Sequence, residues 1–76
     1  MEKLSDMIKA RRKEMKLSQT ELGEAVGQSQ RAVSDWESGR IVQIRNWQRV
    51  AHVLGIREDA FIAAMDRAVN ESDLQR

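Results

Sequence analysis

A chain of 76 residues has room for one domain with a small core, and a core of that size supplies only about 3–5 kcal/mol net, which favours self-association. It contains no Cys, which excludes a disulfide framework and thiolate metal sites and fits a reducing cytosol; the absence of Pro and Tyr and the scarcity of β-branched runs favour an all-α fold. The formal charge is only +1, but residues 1–49 carry ten Lys/Arg against seven Asp/Glu and residues 50–76 carry three against five, so a basic front half is joined to an acidic rear half.

The first predicted helix runs from Lys3 to Met15, with Leu4, Ile8 and Met15 as its apolar positions and Met7 and Arg12 beside that stripe. Lys9, Arg11, Lys13 and Lys16 read as solvent-facing, with Lys16 in a turn that Gly would occupy more easily. The second helix opens on a capping box, Ser18 followed three residues later by Glu21, and ends at Gly27. Its inner face is Leu22, Ala25 and Val26. The third is capped by Ser29, runs to Ser38 and stops at Gly39. Arg40 to Gln43 form a connection. The fourth spans Ile44 to Leu54, with Ile44, Trp47, Val50, Ala51 and Leu54 inward and Gly55 as its stop. The fifth begins near Glu58, with acids where the helix dipole favours them, and carries Phe61, Ile62, Met65 and Val69. The periodicity then ends. The expected organisation is one domain over residues 1–70 and a flexible tail over 71–76.

The third helix carries two opposite faces. At about 100° per residue, Ala32, Val33 and Trp36 fall on one side and Gln30, Arg31, Ser34 and Asp35 on the other. A helix held from behind, with Gln and Arg in front, suits a DNA major groove, because those side chains make bidentate bonds to adenine and guanine edges. The competing reading of the same residues is a plain solvated face. Trp36 and Trp47, both on apolar faces, read as core residues rather than stacking platforms.

The ordered set LSQxELxxxVG followed by SxxxVSxWExG, at residues 17–39, resembles the Cro/lambda-repressor-like (XRE-type) helix-turn-helix family. Ala51, Leu54, Gly55, Phe61 and Ile62 extend the resemblance, which covers residues 4–69. It implies a compact five-helix fold with the second and third helices as the helix-turn-helix. It also implies a sequence-specific double-stranded DNA-binding regulator, most simply a repressor that binds an inverted repeat as a homodimer. The base-contacting positions would be Ser29, Gln30, Arg31, Ser34 and Asp35, and the phosphate-contacting ones Gln19, Arg40 and Arg45. Gln19 would also brace Gln30, and Arg12 would pair with Glu37 to tie the first helix to the third. The chain departs from the family at Asp35, where neutral or basic residues are common, at Arg57 in place of a small polar cap, and in the connection GRIVQ, which lacks Pro.

Other functions fare worse. A protein-interaction role on the same fold, as an antitoxin or accessory factor, is the alternative; a toxin or an RNA polymerase surface would be the partner. One His and no acid–base constellation give no enzyme mechanism to name, and no metal site or cofactor is expected. No stretch approaches the roughly 20 apolar residues of a membrane span, and the start MEKLSDMIK has no secretory core, so a cytoplasmic, bacterial or phage-encoded protein that works at the nucleoid is expected.

Overall fold

Local signals end the helices where the sequence places caps. Ser18 Oγ accepts from the Glu21 amide at 3.0 Å while the Glu21 carboxylate accepts from the Ser18 amide at 2.9 Å, so the capping box is complete. Ser29 Oγ accepts from the Ala32 amide at 3.1 Å. Gly27 and Gly39 adopt φ of 74° and 79°, a region a Cβ makes costly, and each closes the helix before it. The computed structural model describes residues 3–40 and 44–74, with side chains as far as Asn70. Its helices are α1 (Leu4–Glu14), α2 (Gln19–Val26), α3 (Gln30–Ser38), α4 (Trp47–Leu54) and α5 (Glu58–Leu74), and no strand occurs among the described residues.

Every helix contributes to a single core. Ile8 from α1, Leu22 from α2, Val33 from α3, Val50 and Leu54 from α4 and Phe61 from α5 are all completely buried. Burying such side chains is worth about 1.5–3 kcal/mol each, so no helix is dispensable. α3 lies against both α2 and α1, and α4 lies against α5. Trp47 stacks on Phe61 with ring centroids 6.0 Å apart and planes 19° apart, which joins α4 to α5. The radius of gyration is 11.5 Å, close to the ~11.4 Å expected for a well-packed chain of this length.

Four expectations are corrected. α4 begins at Trp47, not Ile44: Ile44 is buried ahead of the helix, and a core residue in a turn mimics helical spacing. Met15 is not on the inner stripe; it caps the C-terminus of α1 in a near-helical conformation and is exposed, because no neighbouring helix covers that end of the stripe. Arg11 does not face solvent alone: its Nε donates to the Leu54 carbonyl at 2.8 Å and ties α1 to the end of α4, while it also pairs with Glu14. α5 continues to Leu74, past the end of the apolar pattern, since once a helix is nucleated each added residue contributes a further backbone hydrogen bond. Most of the Arg40–Gln43 connection, residues 41–43, and the last two residues of the expected tail lie outside the described residues.

The turn between α2 and α3 depends on a residue whose role the spacing alone did not reveal. Gly23 is buried inside α2, and a Cβ there would stand 2.8 Å from the Gln28 carbonyl oxygen and 3.1 Å from the Ser29 carbonyl. Only Gly lets the turn lie this close, with the Gln28 amide donating to the Gly23 carbonyl at 2.7 Å. A Gly in an otherwise helical pattern is the signal that could have found it.

Lys16 sits in the α1–α2 turn with φ of 59°, the left-handed conformation expected of that position. A left-handed L-residue costs roughly 1–2 kcal/mol, partly offset in a Gly replacement by a freer unfolded chain. Lys16→Gly should therefore stabilise the domain by about 0.5–1 kcal/mol, read as a higher thermal midpoint. A lower midpoint would show that the lysine side chain contributes a contact worth more than the strain.

Candidate nucleic-acid interface

α3 is anchored by Val33 and Trp36, both buried, with Ala32 packed against the core from the same side. The opposite edge holds Gln30 and Arg31, both exposed, and Ser34 and Asp35, both half-buried. Ser29, at the start of this edge, is exposed but has its hydroxyl engaged in the cap. The five residues singled out on this segment therefore share the outward side of one short helix.

A chain of polar bonds supports that edge from below. Arg12 of α1 grips Glu37 of α3 with two parallel bonds, Nε to Oε2 at 2.6 Å and a terminal nitrogen to Oε1 at 3.0 Å. Its other terminal nitrogen donates to the Leu17 carbonyl at 2.8 Å. The two side chains are only 11% and 4% exposed, so the pair is desolvated and each charge depends on the other. The hydrogen bond to Glu37, aided by its negative charge, raises the Arg12 pKa above the ordinary arginine value against the opposing effect of burial. A raised pKa in the folded state means that the stability linked to the Arg12 proton is fully present below the ordinary arginine range and is lost only as the pH rises through the higher folded value, in strong alkali. Gln19 Nε2 then donates to Glu37 Oε1 at 3.2 Å, and Gln30 Nε2 donates to Gln19 Oε1 at 2.6 Å. The expected pairing of Arg12 with Glu37 and of Gln19 with Gln30 is thus one continuous path. The bond from Gln19 to Glu37, which joins them, was not foreseen.

Asp35 is flanked by two arginines. Its Oδ1 lies 3.7 Å from Arg31 on the preceding turn and 3.7 Å from Arg40 beyond the helix end. The Asp35 side chain is 15% exposed, whereas Arg31 and Arg40 are 77% and 68% exposed. Pairs this open to water are worth about 0–1 kcal/mol, so their effect is on direction rather than stability. The carboxylate is offset by two positive charges at the helix surface. The Arg40 amide also donates to the Asp35 carbonyl at 3.0 Å, which fixes the chain as it leaves α3. Arg45 is exposed just ahead of α4. Arg49, which the sequence pattern did not single out, donates from Nε to the Ala25 carbonyl near the end of α2 at 3.4 Å.

Among the described residues no cluster of three or more His, Cys, Asp or Glu could hold a metal ion, and no helix is long and apolar enough to cross a membrane.

Two short helices across a Gly turn, the second buried on one side and open along a Gln–Arg edge, define a helix-turn-helix module of the lambda-repressor type. The chain belongs to the helix-turn-helix family, whose family model matches residues 8–61; that family and fold are those of DNA-binding regulators. It is similar to Repressor protein C of Rhizobium phage 16-3, with 35% identity over 68 residues. That match takes in 90% of this chain, and the chain spans only 26% of that repressor's length. Its structure is similar to the P22 c2 repressor protein, solved in complex with a synthetic operator: TM-score 0.74, 31% identity, 80% of this chain and 94% of that one. It also matches a cobalt(II) HppE solved in complex with substrate, with TM-score 0.62 and 28% identity, over 82% of this chain and 33% of that one. The same module thus stands within longer chains.

Proposed function

We propose that this chain is a sequence-specific double-stranded DNA-binding repressor that lays α3 in the major groove. The observation that carries the reading is the open polar edge of α3: Val33 and Trp36 are buried behind it while Gln30 and Arg31 stay uncovered by the rest of the protein. Gln30 would read adenine and Arg31 guanine, each bidentate contact giving about 1–3 kcal/mol of discrimination. Ser29, Ser34 and Asp35 complete the edge that faces the bases. Gln19, at the exposed start of α2 where free amides attract phosphate, and Arg40 and Arg45 would position the helix on the backbone. Similarity to a phage repressor and to a repressor solved with operator supports the same reading.

Two substitutions separate reading from positioning. Arg31→Ala should relax preference at one base pair by about 1–3 kcal/mol, whereas Arg40→Ala should weaken binding to all sequences alike and lower the salt slope by about one. Binding to a panel of duplexes at several salt concentrations tests both. A changed base preference with an unchanged salt slope for Arg40→Ala would reverse the assignment.

The repressor would act as a homodimer on an inverted repeat, since one short helix makes too few base contacts for tight specific binding. Two copies must present α3 about 34 Å apart, a spacing within reach of touching domains measuring 33 × 23 × 19 Å. The surface proposed for the second copy is the groove of about 260 Å³ lined by Ile44, Trp47, Ile62, Met65, Val69 and one charged residue, Asp66, where Ile62 is 42% exposed. Ile62→Glu should leave the monomer folded, shift sedimentation to the monomer and reduce affinity for the full repeat towards that for a half-site. A dimer that survives this change would place the interface elsewhere.

A further inference from the structure

We propose that Glu37 is a specificity-determining positioning residue: through Gln19 it sets which way the Gln30 amide faces, and so makes Gln30 prefer adenine over guanine. This rests on the groove-reading role of Gln30 argued above.

The argument is one of hydrogen-bond polarity. Arg12 is donor only and an ionised carboxylate is acceptor only. The Arg12–Glu37 grip therefore leaves Glu37 Oε1 with nothing to offer Gln19 except an acceptor. Gln19 must turn its Nε2 towards Glu37, as it does at 3.2 Å, which leaves its Oε1 pointing to Gln30. Gln30 must in turn give Nε2 to Gln19, as it does at 2.6 Å. One N–H of Gln30 is then used, and what remains for a base is its Oε1 together with the other N–H. That donor–acceptor pair matches adenine N6–H and N7. If the relay ran the other way, Gln30 Oε1 would accept from Gln19 and the two N–H groups would be left for the base. Two donors match guanine O6 and N7. An amide is close to symmetric in shape, so packing alone does not choose between these states. In the free domain the choice is made by a carboxylate at the far end of α3, which never touches DNA in this scheme; a phosphate on the second N–H of Gln19 would hold the amide in the same direction.

The test is the relative affinity of duplexes varied at each base pair, with folding of each variant checked by thermal unfolding. Gln30→Ala identifies the pair that Gln30 reads, by flattening preference there. Glu37→Gln keeps one acceptor for Arg12: with its Oε1 on the Arg12 Nε, its Nε2 takes the place of Glu37 Oε1, where it gives up the second Arg12 bond and donates to Gln19, which reverses the relay. The adenine-over-guanine ratio at the Gln30 pair should fall at least about tenfold, with other pairs unchanged. Adding Gln19→Glu to Glu37→Gln puts an acceptor-only group back beside Gln30. It should restore the adenine preference, although the added charge weakens binding to every duplex. Should Glu37→Gln fail to fold, Gln19→Met keeps the ion pair and removes the relay, and it should lower the same ratio.

If Gln30→Ala flattens one pair but neither Glu37→Gln nor Gln19→Met changes its adenine-to-guanine ratio, the relay is overturned while the reading of Gln30 stands. If Glu37→Gln weakens every duplex equally and the double variant restores nothing, Glu37 is structural only. If Gln30→Ala leaves every base preference as it was, Gln30 does not read a base and the groove-reading role itself fails.

Discussion

Glu37→Ala should cost about 3–5 kcal/mol of stability, while Glu24→Ala on the exposed side of α2 should cost a few tenths at most. Both remove one glutamate; the difference lies in what each leaves behind. Loss of Glu37 strands the Arg12 guanidinium, 11% exposed, with only the Leu17 carbonyl to receive it, and takes away the acceptor for Gln19. It also uncouples α1 from the end of α3, because the paired side chains come from those two helices. For a domain whose core supplies about 3–5 kcal/mol net, such a loss leaves a large unfolded fraction at room temperature. Thermal unfolding of the two variants side by side checks it. Equal midpoints would mean that the pair is held too loosely to matter.

Trp36→Ala should be comparably severe and should abolish DNA binding with the fold. The indole is buried behind the exposed edge of α3, and removing a large aromatic side chain from a packed site costs about 3–5 kcal/mol. At about 4–8 °C per kcal/mol, the midpoint should drop by some 12 °C or more. Trp36→Phe should keep much of the packing and lose less. A duplex that binds only the folded state should stabilise Trp36→Phe by about 2.7 kcal/mol when present at a hundred times its dissociation constant, and should leave Trp36→Ala unaffected. Helix content followed by circular dichroism, with and without duplex, measures all of this. A Trp36→Ala midpoint within a few degrees of the parent would show that α3 is held by α1 and α2 without its indole.

The proposed dimer rests on a different kind of surface. Ile62 and Met65 lie on the same helix three residues apart, yet Met65 is buried and Ile62 is open. Sequence periodicity marks both as apolar and cannot tell which one lies beyond the reach of the neighbouring helix. The same limit explains Met15, apolar and at helical spacing but left uncovered at the end of α1, and Ile44, apolar and at helical spacing but outside α4.

Arg11 and Arg31 show the limit for charges. Both are arginines on predicted helices. Arg11 reaches across to the Leu54 carbonyl, forty-three residues away, and fastens the end of α4, while Arg31 remains in solvent beside Asp35. Local spacing gives the Arg31–Asp35 neighbourhood because four residues are one turn. It gives no hint of Arg40 approaching Asp35 from beyond the helix, nor of Arg49 meeting Ala25.

What the amino-acid order determined by itself is what acts over a few residues: where Ser18 and Ser29 start helices, where Gly27 and Gly39 stop them, and which residues of α3 share a side. Those follow from backbone geometry and a 3.6-residue period, and they fix the helix-turn-helix and its Gln–Arg edge. Only the tertiary structure decided the rest, because it depends on contacts between residues far apart in the chain. Gly23 is indispensable only once the turn presses on α2, and Glu37 reaches Gln19 only once α1 and α3 are docked. The polar path from Arg12 to Gln30 likewise closes only in the docked fold, where Gln19 lies between Glu37 and Gln30.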